Sequence, residues 1–184
     1  MSPEGESERL AADIKIVGGH ADVWRLFDES NRLREIAAAL VEPFRRQATK
    51  IAGIESRGFI LGTAAALELG VGFVPIRKSA GLFPGAKAIC ETELDYRGNR
   101  HQLRLQRVAL TPQDCVLLVD DWIETGSQAR AARSLIQSCG ARLIGIATVV
   151  TEVEADQISD VGRLHALVRA DRLAWKHGYR RRVR

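Results

Sequence analysis

Short apolar runs, polar turns and stretches of helical periodicity alternate along the chain, and each pattern predicts an element. Lys50-Ile51-Ala52-Gly53-Ile54, Gly70-Val71-Gly72-Phe73-Val74-Pro75-Ile76 and Cys115-Val116-Leu117-Leu118-Val119 are short, partly β-branched and unalternating, as strands are when both faces of a parallel sheet are covered. Helical repeats lie between and after them. Leu33, Ile36, Ala37, Leu40, Val41 and Phe44 form one, with Ser30 or Asn31 placed to cap it. Phe59 to Leu69 forms a second. Ala129, Ala132, Leu135, Ile136 and Cys139 form a third, which Gly140 stops. Ile14 to Val17 alternates as a short strand ended by Gly18-Gly19, and residues 1–12 are polar with only a short amphipathic hint. Residues 89–96 and 101–107 alternate about Arg97-Gly98-Asn99-Arg100 as a hairpin beneath the Gly/Pro loop 79–85. Residues 142–151 predict another buried strand, 152–160 a short polar helix or loop, and 161–169 a last strand. The repeated order of strand, turn and helix predicts an α/β fold: a doubly wound, mostly parallel sheet flanked by helices.

Composition narrows the class. With 184 residues and 46% hydrophobic content the chain can bury one sizeable core, so a single domain over 1–184 is expected. No apolar stretch approaches the ~20 residues that span a bilayer, and the charged N-terminus leads into no signal-peptide core; the expectation is a cytoplasmic protein without membrane contact. Cys90, Cys115 and Cys139 are odd in number, widely spaced and set in apolar contexts, which reads as reduced core thiols and neither a disulfide framework nor a zinc site. Net charge is +4, yet Lys176, Arg180, Arg181, Arg182 and Arg184 cluster in the last nine residues without an acid, so the rest of the chain is slightly acidic. Any affinity for nucleic acid therefore belongs to the basic tail 176–184, and no DNA-reading module accompanies it.

The candidate chemistry lies where strands end. Val119 is followed by Asp120-Asp121 and then Glu124-Thr125-Gly126-Ser127-Gln128 before the third helix. Open α/β sheets keep their ligands at the carboxyl ends of strands. A turn opening a helix aims backbone N–H groups at one point, which suits a phosphate, while adjacent acids suit sugar hydroxyls or Mg²⁺. Thr-Gly-Ser alone is often only an N-cap, and Asp-Asp alone is often a solvated loop; their combination at a strand-to-helix joint is what points to a site. Glu55-Ser56-Arg57-Gly58 repeats the arrangement after residues 50–54. Arg57 opens a helix against its dipole, for which a bound anion is the economical explanation. Arg77-Lys78 ends the next strand; such a pair is usually a solvated loop.

Val-Leu-Leu-Val-Asp-Asp-Trp-Ile-Glu-Thr-Gly (116–126) resembles the signature of type I phosphoribosyltransferases. Ile51-Ala52-Gly53-Ile54-Glu55-Ser56-Arg57-Gly58-Phe59 and Gly72-Phe73-Val74-Pro75-Ile76-Arg77-Lys78 narrow the resemblance to the adenine phosphoribosyltransferase family, over roughly residues 50–150. The resemblance implies transfer of a phosphoribosyl group from phosphoribosyl pyrophosphate to a purine-like base, with release of pyrophosphate, in nucleotide salvage. It implies Mg²⁺ as cofactor and a homodimer. Asp120 and Asp121 would hold the ribose hydroxyls and Mg²⁺; Glu124, Thr125, Gly126, Ser127 and Gln128 would cradle the 5′-phosphate. Glu55, Ser56, Arg57, Arg77 and Lys78 would hold pyrophosphate, with a cis peptide at Glu55–Ser56. Asp95 and Tyr96, in Leu94-Asp95-Tyr96, match the family's Glu-Tyr pair with Asp in place of Glu. The family's base-binding hood falls on Gly19 to Val23, so His20 and Asp22 are the base-side candidates, with a hood formed by about residues 1–30 and the C-terminal segment. Transfer to another base, and a regulatory protein that binds phosphoribosyl pyrophosphate without catalysis, remain the alternatives.

Overall fold

The computed structural model describes residues 3–17, 20–78, 83–93 and 100–173. Helix α1 (Pro3–Asp13) leads into a two-stranded antiparallel ribbon, β1 (Lys15–Val17) and β2 (His20–Asp22), then a 3₁₀ turn (Trp24–Phe27) and α2 (Ser30–Val41). The main sheet follows: β3 (Lys50–Ile54), α3 (Arg57–Leu69), β4 (Gly72–Lys78), β5 (Lys87–Glu91), β6 (Gln102–Gln106), β7 (Cys115–Ile123), α4 (Ser127–Ser138), β8 (Arg142–Thr151) and β9 (Arg163–Arg169). Its seven strands run in the order β5-β6-β4-β3-β7-β8-β9, parallel from β4 to β9, with β6 and β5 added antiparallel at one edge. The doubly wound sheet is therefore present, and the predicted hairpin supplies its antiparallel end.

Both faces are covered. Leu10, Leu26, Ile36, Leu40 and Phe44 pack with Ile51, Leu61, Leu117 and Val119 on one side, and α4 packs Ala132, Leu135 and Ile136 with Ala52, Ile54, Leu118 and Ile146 on the other. The core explains the unalternating runs, since Ile51, Ala52, Val116, Leu117, Leu118 and Val119 are all essentially inaccessible.

Several boundaries differ from the sequence reading for physical reasons. Strand β7 does not end at the acids but runs through them to Ile123, because β8 continues alongside: Asp120 pairs with Thr148 and Trp122 with Val150. Likewise β4 contains Arg77 and Lys78, held by Arg104 and Leu103 of β6. Helix α3 starts at Arg57, two residues early. Helix α2 begins at Ser30 with extended Glu29 before it and no side-chain cap hydrogen bond, so neither Ser30 nor Asn31 caps it. The three cysteines are free thiols, half-buried instead of lying in the core. Val161 closes a 3₁₀ turn, and the last strand begins at Arg163.

The approach of β3 to α3 sets the site's geometry. A Cβ on Gly53 would stand 2.1 Å from the Gly58 carbonyl oxygen, and one on Gly58 would stand 3.0 Å from Asp120 Oδ1. Only hydrogen at these positions lets the first turn of α3 fold back over β3 and reach β7. Gly53→Ala should therefore lower stability by about 2 kcal/mol or more, since the obstructing atoms are backbone. Gly72→Ala, whose Cβ meets nothing within 4 Å, should change it by less than about 0.5 kcal/mol. Urea unfolding of the two variants checks the contrast.

Candidate active site

Strands β4 and β7 lie on opposite sides of β3, so consecutive parallel strands leave β3 in opposite directions and a crevice opens beyond the carboxyl ends of β3 and β7. A cavity of about 290 Å³ occupies that place. Of the residues singled out in the sequence, Glu55, Ser56, Arg57, Lys78, Asp120, Asp121, Glu124, Thr125, Gly126, Ser127 and Gln128 all line it. Three segments far apart in the chain are thus brought to one rim.

The acids sit on rigid strand. Asp121 is only 5% exposed and Asp120 is half-buried. The Asp121 N–H donates to Asp120 Oδ1 at 3.0 Å. Burial, and after it the neighbouring Asp121 carboxylate, push the Asp120 carboxyl well above the usual carboxylate range, against the opposing pull of the Asp121 N–H and Lys78. Arg57 Nε stands 3.0 Å from Asp121 Oδ2. The N–H is not aimed along that line, so Oδ2 remains a buried acceptor without a hydrogen-bond donor among the described residues. The charge that opens α3 against its dipole therefore has a carboxylate beside it within the protein, where the sequence alone suggested an external anion.

At the other wall, Gly126 precedes α4 with φ of 78°, a left-handed conformation open to glycine. Its Cβ position is also closed by Ile158 Cγ2 at 2.6 Å. The Ser127 N–H points to Thr125 Oγ1 at 3.3 Å. Helix geometry leaves the Gln128 and Ala129 N–H groups without an acceptor inside α4, and both residues line the same cavity.

Glu55 has a structural occupation. Its carboxylate accepts from Arg77 Nη2 at 3.3 Å and from the Lys78 N–H at 2.9 Å, tying the turn after β3 to the end of β4. The Glu55–Ser56 peptide bond is cis, as the resemblance implied. Arg77 lies outside the cavity lining, with its guanidinium 5.8 Å from the Phe83 ring centroid. His20 and Asp22 are on the separate ribbon and do not line the cavity; His20 is exposed, and Asp22 accepts the Trp24 N–H at 3.2 Å. Asp95 and Tyr96 lie outside the described residues. Sequence reasoning missed Arg130, whose guanidinium donates to the Thr125 and Gln157 carbonyls and to Asp160, holding the phosphate-type turn in place. No local pattern marks it, because Gln157 and Asp160 lie about 30 residues further along the chain.

Comparison with known proteins agrees with this geometry. A family model described as the phosphoribosyl transferase domain matches residues 25–166. The chain is 43% identical over 134 residues to an adenine phosphoribosyltransferase of Nocardioides sp., covering 70% of this chain and 71% of that one. Among solved structures, the adenine phosphoribosyltransferase of Rhodothermus marinus superposes with a TM-score of 0.80 at 31% identity, over 90% of this chain and 99% of its own. The APRTase of Giardia lamblia, in complex with 9-deazaadenine, gives 0.78 at 30% identity, over 89% and 97%.

The paired acids carry a pH signature in the ligand-free protein. A carboxyl whose proton affinity is raised by folding contributes stability that is complete below its unfolded pKa of about 3.9 and is lost as pH rises through the folded value. Asp120→Asn removes the titration while keeping the shape. Its unfolding midpoint should exceed that of the natural protein at pH 7, with the difference fading towards pH 4. Calorimetric scans of both proteins across that range test the sign.

Proposed function

The chain belongs to the phosphoribosyl transferase family, and from that premise we propose that it is the enzyme that transfers the phosphoribosyl group of phosphoribosyl pyrophosphate to adenine, releasing pyrophosphate, in purine salvage. The observation that carries this reading is the meeting of two side-by-side carboxylates and a phosphate-type helix start in one crevice. A sugar carrying a 5′-phosphate and two hydroxyls needs acceptors and N–H donors in one cleft.

In this reading Thr125, Gly126, Ser127 and Gln128 receive the 5′-phosphate, with Glu124 at their edge. Asp120 and Asp121 take the 2′- and 3′-hydroxyls. Each carboxylate can accept a hydrogen bond from one of the two hydroxyls. Positive charge develops on the ribose as the bond to pyrophosphate loosens, and carboxylates beside the ring stabilise it. Ser56, Arg57 and Lys78 hold the departing pyrophosphate, and Glu55 acts by fixing Arg77 and the Lys78 backbone. By resemblance Asp95 and Tyr96 serve the acceptor or the ring, and His20 and Asp22 the base.

Mg²⁺ belongs to the same proposal. It takes oxygen ligands and retains several waters, commonly sharing one or two carboxylates with substrate phosphates. Asp120 and Asp121 fit that mode, and the Asp121 oxygen without a donor supports it. The described residues contain no cluster of three ligating side chains, so they fit no all-protein cage. Neutralising the diphosphate is the chemistry such an ion supplies when bound. The reading also takes the whole chain as one domain with a hood at its N-terminal part, a homodimer and a cytoplasmic location. Ile60 and Leu67, 36% and 79% exposed one above the other on α3, support association. No described helix is long and apolar enough to cross a membrane.

Asp120→Asn combined with Asp121→Asn should leave the protein folded and weaken phosphoribosyl pyrophosphate binding by roughly a hundredfold or more, as expected for losing two charge-assisted hydrogen bonds. Undiminished affinity by titration calorimetry would remove the acids from the sugar site. A pyrophosphate-release assay over a panel of free bases addresses the acceptor. Turnover with adenine should exceed that with hypoxanthine or guanine by about tenfold or more, because a site that hydrogen-bonds a polar substituent rejects analogues lacking it. Binding of phosphoribosyl pyrophosphate without turnover of any base would instead establish the regulatory alternative.

A further inference from the structure

Trp24 opens the 3₁₀ turn that follows the hood ribbon, and its side chain is half out of the core, 52% exposed. An indole so placed is fixed from below: the Trp24 backbone N–H is held by Asp22, and the Phe27 ring meets the indole edge-on at 6.0 Å. Over its face, 5.6 Å from the ring centroid, lies the guanidinium carbon of Arg57. Arg57 therefore has two stabilising neighbours from different parts of the chain, the Asp121 carboxylate and the Trp24 indole. It needs them, because a cation in the first turn of α3 opposes the helix dipole.

These partners do not have the same fate. On the transferase reading above, the sugar hydroxyls of phosphoribosyl pyrophosphate take Asp121, and Arg57 loses the carboxylate when it must meet the diphosphate. The indole is then what remains. We propose that Trp24 is a positioning residue: its ring face holds the Arg57 guanidinium at the cavity wall, linking the hood to the diphosphate side of the site. Trp24 touches no reacting atom in this account and acts through Arg57. It thus couples occupancy of the sugar site to the stance of the hood.

Trp24→Leu and Trp24→Phe separate an aromatic face from apolar bulk. In the natural protein and in Trp24→Phe, the Arg57 Nε–H proton should resonate upfield through ring currents, as read by proton–nitrogen NMR; in Trp24→Leu the shift should vanish. Affinity for phosphoribosyl pyrophosphate, measured by calorimetry without a base, should fall roughly threefold to fivefold in Trp24→Leu and stay within about twofold in Trp24→Phe. The loss should appear as a raised KM for that substrate with kcat nearly unchanged. Both variants should unfold near the natural midpoint, since the ring is half exposed. An unshifted Arg57 resonance in the natural protein, or equal affinities for the Leu and Phe variants, overturns the role of Trp24 and leaves the transferase reading intact. Failure of the natural protein to bind phosphoribosyl pyrophosphate overturns both.

Discussion

Two carboxylates on consecutive residues of a buried strand repel one another and lose hydration together, and the surroundings of Asp120 and Asp121 are arranged around that cost. Nothing in core packing requires acids there, because β7 is otherwise apolar and already paired on both sides. The strand holds them in a fixed relation that a loop would not. Partial relief comes from the Asp121 N–H, from Lys78 and from Arg57. What is left unrelieved, a buried oxygen without a donor among the described residues and a carboxyl that resists ionisation, marks the pair as a candidate functional site.

Relief by Arg57 depends in turn on backbone proximity. Gly53 and Gly58 allow α3 to start directly above β3 and beside β7, and any side chain at Gly53 would push that start away. The same glycines therefore serve packing and electrostatics at once. On the opposite wall, Ile158 closes over Gly126 while Arg130 of α4 ties the turn to the 3₁₀ segment Asp156–Val161, so the phosphate-type turn is braced by a segment well downstream of it. Rigid placement of donors ahead of binding is what makes such a turn useful, since little reorganisation remains to be done when an anion arrives.

Much of this was legible in the chain because the signals were local. Unalternating apolar runs revealed the buried parallel strands, and polar glycine-containing turns after them revealed the rim. The errors came from pairing, which is not local. Asp120, Asp121, Arg77 and Lys78 read as loop because they are charged, yet neighbouring strands run on beside them and keep them extended. The missing cap on α2 has the same origin: Ile36, Leu40 and Val41 are buried deeply enough to set the helix without one. Arg130 and the Trp24–Arg57 contact were invisible because each joins segments about 30 residues apart. Glu55 was recognised as part of the site, but its role as a bracket between β3 and β4 could only come from the fold.

The two sides of the crevice differ in how strongly the fold determines them. The residues proposed for sugar and phosphate come from strand ends and a helix start locked into the main sheet. The part proposed for the acceptor is a ribbon of two three-residue strands that among the described residues pair only with each other, β1 with β2, and the turn after it reaches the cavity wall where Trp24 meets Arg57. A ribbon that small has marginal stability of its own and takes its position from what it packs on, here Val23 and Leu26 in the core beneath it. Side chains on the ribbon can therefore change without disturbing the residues that line the crevice. On the proposed reading, specificity for the base and capacity for transfer are carried by separable parts of the chain, and the guanidinium of Arg57, beside Asp121 and over Trp24, is the point at which a change in one can be felt by the other.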